Sequence, residues 1–536
     1  MKARILCFAV LAGLFSCKKD KSQTATSTEQ VTISTDAATL NSRISTADAG
    51  VVKVDPTAGG LQKVTLDSAS NQYPMELIAS VAPPVLGGDT LRATHVEING
   101  NYAYVSYNTE GPQYKGGIDV FNISNPAMPA LVSSVTFPAT DISAITYYNN
   151  KLYVAGARDG ERPAIAGYLD LTTDGLPTTT FVTLGYSGFT GTGIAAADGK
   201  VYLTTGSTGG LYVLDPATLT LLQSFTVADA RGVALNSTYV AVQTGSSGIN
   251  IYNRSTSTLV RNISMGADVA ESKRTMDFNG NYLYVAAGKG GNRYYDVTTG
   301  TKLSEVSLPT TITGVNSNDI VTNAVSYNNN LFFSANGAAG AYICTENTST
   351  HTLNRLGSFG FGTGNSINYV KSKNNYVFVA AGRGGMKIIR FTPASINGSC
   401  AGLANYSGST NLNINSNQTK SYAGSLLLTT LNVNSNSTLF YCGSLAISDN
   451  SNINSNGTLE MQGAFSFGAS GKTLSVNSNA VLRISGNATI YGNLNLNSNA
   501  KIEFIGTGNT ITIYGTVTKG SNVTITGSYT DVSGKL

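Results

Sequence analysis

The fold class predicted is all-β, a seven-bladed β-propeller followed by a parallel β-solenoid, and two repeats of different length predict it. Between Tyr102 and Met386 a Tyr-Val-Ala pattern recurs seven times, with an apolar residue before it and glycines after it. Its centres are Tyr104, Tyr153, Tyr202, Ala241, Tyr284, Phe332 and Phe378, with gaps of 49, 49, 39, 43, 48 and 46 residues. Short alternating apolar runs at such a period mark four-stranded blades around a ring. After about Gly398 the texture changes. Asn-Ser-Asn recurs around Ser416, Ser435, Ser455, Ser478 and Ser498, with gaps of 19, 20, 23 and 20. Each copy follows a short alternating strand, so one coil of a solenoid per repeat is expected.

In chain order, residues 1–16 read as an export signal. Lys2 and Arg4 precede an apolar run from Ile5 to Phe15, which is shorter than the roughly 20 residues a membrane span needs. Leu14-Phe15-Ser16-Cys17 resembles a bacterial lipobox, and Lys18-Lys19-Asp20 resembles the charged tail of Bacteroidetes lipoproteins. That resemblance implies a lipid anchor on Cys17, outer-membrane attachment and display at the cell surface. Residues 17–71 are rich in Ser, Thr, Ala, Asp and Gln. They bury too little apolar surface to offset their ordering entropy, so a flexible tether is expected.

Residues 72–393 are assigned to the propeller. One repeat shows the grammar: Gly193 to Ala197 inside, the turn Asp198-Gly199, Val201 to Thr205, a Gly-rich turn, Leu211 to Asp215, then Leu221 to Val227 outermost. Turn residues fall where the chain must reverse. Ala103-Tyr104-Val105, Gly116-Gly117-Ile118-Asp119-Val120, Asn122-Ile123-Ser124-Asn125-Pro126 and Val377 to Ile389 resemble bacterial surface proteins with LVIVD-type or YVTN-type propeller repeats. The resemblance covers about residues 75–392 and implies a binding scaffold, not a ligand. The sixth repeat, with Leu331-Phe332-Phe333-Ser334 and Ile343-Cys344, is the most irregular. The seventh ends at Phe391-Thr392-Pro393 without a fourth strand, whereas Leu77-Ile78-Ala79-Ser80-Val81 parallels Leu131-Val132-Ser133-Ser134-Val135. An N-terminal strand is therefore expected to complete the last blade and leave no open edge.

Residues 394–405 read as a linker and 406–536 as the solenoid. Asn at one place in every coil is expected to stack into a ladder of amide hydrogen bonds; the same polar stripe also suits glycan contact. Of five cysteines, Cys7 leaves with the signal and Cys17 takes lipid. Cys344 reads as a small buried apolar residue. For Cys400 and Cys442 a disulfide stays open, because spacing does not show proximity.

Composition narrows the function. The chain has 536 residues, 58 Gly, no Trp, only 12% charged residues and a net charge of +4. Without a basic stripe, nucleic acid is not expected as a partner. No metal-ligand spacing, P-loop or nucleophile elbow is present, and no cofactor is expected. Sialidase-type and quinoprotein propellers use Trp motifs, which this chain lacks.

His95 and Glu97 on one face of the first inner strand are either an acid–base pair or a structural histidine with a neighbour. The better binding candidates are rim charges. Loops from a fourth strand to the next first strand offer Arg92, His95, Asp141, Asp229, Arg231, Glu271 and Arg274. Loops from second to third strands offer Arg158, Asp159, Arg162, Arg293 and Arg383. Several arginines at one mouth favour a carboxylate, sulfate or acidic sugar through bidentate contacts; the competing reading is solvated loop charges and inter-blade ion pairs. The function expected is a lipid-anchored, non-enzymatic binding or adhesion protein for a glycan or an envelope protein. The alternatives are a polysaccharide lyase or hydrolase, and a structural part of an envelope complex.

Overall fold

The computed structural model describes residues 27–54, 74–125, 128–245, 247–266, 272–362, 365–392 and 400–536. The signal segment, Cys17 and Glu271 lie outside these. Among the described residues no helix is long and apolar enough to cross a membrane.

Seven antiparallel sheets make the ring. Their innermost strands are Arg92–Asn99, Thr140–Tyr148, Gly193–Ala197, Ala230–Leu235, Met276–Asn279, Ala324–Asn328 and Tyr369–Lys373. The repeat centres lie in the second strands, which are buried along nearly their whole length, as in Leu331–Ala335 and Tyr376–Ala380. Each such strand packs on blades at both faces, which is why its residues are apolar without a polar alternate. Several reversals use two consecutive residues of positive φ: Asn149 and Asn150 (45° and 58°), Asp198 and Gly199 (49° and 69°), Asn329 and Asn330 (52° and 63°). Asn, Asp and Gly reach this region most easily and suit the twist of a hairpin. Blade 6 is a four-stranded sheet whose register shifts between Ile343 and Cys344, and its Cys344 is a buried free thiol pushed up to about 12 by burial.

The ring closes as expected. Met75–Val81 pairs antiparallel with Met386–Phe391, Leu77 opposite Ile389 and Ala79 opposite Ile388. Blade 7 is thus built from both ends of the domain, and every residue of the closing strand is buried.

The expected flexible tether gives way to a strap over residues 27–54. Ser27–Gln30 adds a fifth strand to blade 2, Thr32–Ser34 adds one to blade 1, and Ile44–Ser45 and Gly50–Val51 pair with the closing strand. The physical reason is the open edge. An outermost strand offers a row of unpaired backbone groups, and even a polar segment satisfies them. Side chains then fix the register. Val31, Leu40 and Val51 are buried, and the Arg43 guanidinium donates to the Asp119 carboxylate, with one bond of 3.0 Å. Blades 3 and 4 carry no such cover, and Leu221, Leu222, Leu259 and Val260 on their outer strands are exposed.

Residues 406–536 form about six coils with two parallel sheets. The shorter strands run from Asn411–Ile414 to Val517–Lys519, and the longer ones begin at Thr419–Leu428. Leu412, Ile414, Leu431, Val433, Leu474, Val476, Leu494 and Leu496 are among the residues that fill the interior. The expected amide ladder is present. Asn454 donates to Asn434 at 3.0 Å, Asn477 to Asn454 at 3.1 Å and Asn497 to Asn477 at 2.7 Å. A stack of glycines accompanies it at the bend of each long strand. Gly443 has φ 127°, and a Cβ there would lie 2.2 Å from the carbonyl oxygen of Gly424 in the coil before it. Cys400 and Cys442 form a disulfide that ties the linker to the second long strand.

The solenoid sits against blade 7. Glu76, on the closing strand and 1% exposed, accepts from Arg390 at 2.6 Å and from the Tyr491 hydroxyl at 2.6 Å, and also from Ser466. Val51 N–H donates to the Gly468 carbonyl at 2.8 Å, and Lys53 pairs with Asp449 at 2.9 Å. Removing one member of a buried, hydrogen-bonded charge network leaves the others uncompensated, at a cost of about 3–5 kcal/mol. Glu76→Ala is expected to lower stability by about that much in denaturant titrations and to render the junction cleavable in limited proteolysis. Wild-type stability in the variant would show that the network does not hold the two parts together.

Candidate functional site

A cavity of about 690 Å³ opens at one mouth of the ring. Its wall repeats with the blades. Thr94, Ser143, Thr192, Arg231 and Asn368 each lie ten residues before their repeat centre, and all five line it. Blades 5 and 6 contribute Lys273 and Asn323 instead, one residue out of step in opposite directions. These positions stand just before or near the start of the inner strands, where they also stitch neighbouring blades. Thr94 Oγ1 donates to the Ile142 carbonyl at 2.9 Å, Thr192 Oγ1 to the Ala230 carbonyl at 2.8 Å, and Lys273 N–H to Asn323 Oδ1 at 3.1 Å. Phe189, 71% exposed, stands at the rim between blades 2 and 3.

Of the rim charges expected to bind ligand, Arg92, Asp229 and Arg231 line the cavity. All three are already paired. Arg231 holds Asp229 through two bonds of 2.7 and 3.0 Å and donates to the Ser272 carbonyl at 2.9 Å, while Arg92 reaches Glu110 at 3.0 Å. Arg383, highly exposed, lies 3.5 Å from the same Glu110.

The others lie elsewhere. Asp141 sits beneath the 109–115 loop, its Oδ1 accepting from Thr109 N–H at 3.1 Å, Thr109 Oγ1 at 3.1 Å and Lys115 N–H at 3.0 Å. Burial raises its carboxyl to about 6. Arg158 donates to Thr183 Oγ1 at 2.7 Å, and Asp159 and Arg162 project from the exposed 159–163 loop of blade 2. Arg274 is 1% exposed, with φ 58°, and its guanidinium donates to the Thr244 carbonyl. It is a blade-to-blade strut because its backbone turns the side chain into the protein. Arg293 faces an outer flank near Arg261 and Lys302, 3.7 Å from Glu305, because it belongs to a third strand and not to a mouth loop.

His95 and Glu97 lie deeper along the first inner strand. The His95 ring packs on Tyr369, with centroids 4.0 Å apart. Burial, then the nearby Lys273 and Lys371, push its imidazole well below the usual range, so it stands neutral. Burial raises Glu97, partly countered by Lys371 and Lys373. The His95 Nδ1 is buried without a hydrogen-bond partner among the described residues. Among the described residues no group of three or more His, Cys, Asp and Glu is placed to hold a metal ion.

Sequence reasoning looked for charge and passed over Lys273 and the small polar wall. Aligning the seven repeats on their centres and reading the column ten residues upstream exposes most of that wall.

Comparison with known proteins gives a family match over one blade: residues 92–137 match the LVIVD repeat. No curated protein matches the chain. Among solved structures the chain is similar to the computationally designed Ika8 protein, at 15% identity over 63% of this chain and 99% of that one, with a TM-score of 0.39. It is similar to the RRP9 WD40 repeats at 11% identity over 61% and 99%, TM-score 0.45, and to U3-55K at 11% over 58% and 98%, TM-score 0.44.

The Asp141 geometry sets a pH test. All three donors meet Oδ1, so Asp141→Asn retains the acceptor and removes the partly buried charge. The folded carboxyl titrates at about 6 against an ordinary 3.8. Its contribution is therefore full below the unfolded value and lost as pH rises through about 6. The melting temperature of Asp141→Asn relative to wild type is expected to climb between pH 4 and pH 7. A flat difference across that range would contradict the assignment.

Proposed function

We propose that this chain is a non-catalytic binding protein of the bacterial envelope, held by a lipidated Cys17, whose ring mouth takes a glycan. The observation that carries this reading is the mouth cavity. Its volume lies in the range of ligand sites, and its wall combines the hydroxyls and amides of Thr94, Ser143, Thr192, Asn323 and Asn368 with a few charged groups and one exposed aromatic, Phe189, at the rim. Hydroxyl and amide groups suit sugar hydroxyls, and an aromatic face suits the apolar face of a pyranose. The LVIVD repeat match on blade 1 fits a scaffold of this kind.

Among the described residues no two carboxyl groups face each other across the cavity, which favours the binding reading. Asp229 is the one carboxylate among the described lining residues, and Arg231 engages both its oxygens. Glycoside hydrolysis generally needs two carboxyl groups across the scissile bond.

A glycan array probed with the full chain is expected to show binding, reduced about tenfold by Phe189→Ala, in line with about 1.4 kcal/mol for an aromatic contact. An array with no binder would overturn the reading. Incorporation of a palmitate analogue into expressed protein, lost in Cys17→Ser, checks the anchor; equal labelling of both would refute it.

A further inference from the structure

We propose that the mouth cavity selects a sugar acid, with Lys273 as the counter-ion of its carboxylate. This rests on the glycan-binding reading and adds the charge of the ligand to it.

Lys273 reaches from blade 5 across the ring. Its Nζ donates to the Thr94 carbonyl at 2.7 Å and the Ser143 carbonyl at 2.6 Å, on blades 1 and 2, and lies 5.1 Å from the centre of the Tyr369 ring on blade 7. An ammonium has three donors; two are used. Among the described residues Lys273 forms no ion pair. The two other cations of the cavity, Arg92 and Arg231, already hold Glu110 and Asp229. The preceding Ser272, whose hydroxyl has no hydrogen-bond partner among the described residues, also lines the cavity. Lys273 is thus the cation of the cavity wall that meets only carbonyls and an aromatic ring, whereas Arg92 and Arg231 each hold a carboxylate. A bound carboxylate supplies its missing counter-charge, and the Thr, Ser and Asn side chains of the wall suit sugar hydroxyls.

The surrounding charges leave this role to Lys273. On blade 1 His95 is neutral. Deeper in the channel Glu97 and Asp277 act on Lys371, whose ammonium they hold above its ordinary range against burial, and Lys373 contacts the Ile98 carbonyl at 3.4 Å. Blade 2 offers Asp141, engaged under its loop, and blade 4 offers the Asp229–Arg231 pair. The inner strands of blades 3 and 6 carry neither acid nor base apart from the Tyr327 phenol. Burial lowers Lys273 to about 7. A bound carboxylate restores the ammonium, so binding takes up a proton above pH 7 and weakens as pH rises, at most tenfold per pH unit.

The test is calorimetry on the full chain with glucuronate, glucose, inorganic sulfate and a tri-aspartate peptide at pH 6.5 and 8.5. Glucuronate is expected to bind at least tenfold more tightly than glucose at pH 6.5. It should weaken at pH 8.5, with a heat there that depends on the ionisation enthalpy of the buffer. Lys273→Met should abolish the preference for glucuronate, and Lys273→Arg should keep it while removing the pH dependence. The arginine variant retains the cation and tests the proposal even if the methionine variant unfolds. Equal affinity for glucuronate and glucose, or an unchanged preference in Lys273→Met, would overturn the proposal. So would sulfate or tri-aspartate binding as tightly as glucuronate, since the site would then be one for bare anions or acidic peptide. Tight neutral-sugar binding alone would leave the glycan reading standing and remove Lys273; no sugar binding at all would remove both.

Discussion

The ring depends on one antiparallel pairing, that of Met75–Val81 with Met386–Phe391. Until it forms, blade 7 has an unpaired edge and the first and last blades are joined by nothing covalent. Once formed, it is a contact between segments about 310 residues apart in sequence, so its loop-closure entropy is large and must be offset by burial of the whole closing strand. The cavity inherits its shape from that closure. Its wall takes residues from all seven blades, and Lys273 meets carbonyls on blades 1 and 2 only because the circle is complete.

The same regularity explains how much was legible in the sequence. A repeat centre flanked by apolar residues announces a strand buried on both faces, and seven of them announce the ring. The closing strand was legible because Leu77 to Val81 shares the alternation of Leu131 to Val135. The solenoid was legible through Asn-Ser-Asn, whose amides bond coil to coil. Its glycine column was open to the same reading, since Gly424, Gly443, Gly463 and Gly486 occupy one register position.

The strap was not legible, for a physical reason. Ser27–Gln30 is wholly polar and Val31 to Ser34 alternates over only four residues, too short a signal on its own; they are strands because blades 2 and 1 offer them free backbone edges. Strand formation of this kind is a property of context more than of composition. The site was half legible for a related reason. Charge pointed to the face on which the cavity opens, through Arg92, Asp229 and Arg231, but a charged loop residue tends to find a partner at home, as Arg231 does with Asp229 and Asp141 does with its loop. The rest of the cavity wall is the quieter set of Thr, Ser and Asn, together with the lysine that found only carbonyls.

Glu76 belongs to two joints at once. Through Arg390 it clasps the strands that shut the circle, and through Tyr491 and Ser466 it grips the coiled arm beside them. Tension on that arm therefore loads the clasp directly. Shearing the arm away strips the carboxylate of its hydroxyl donors, and unlatching the circle strips it of its guanidinium, so neither part loosens without weakening the other.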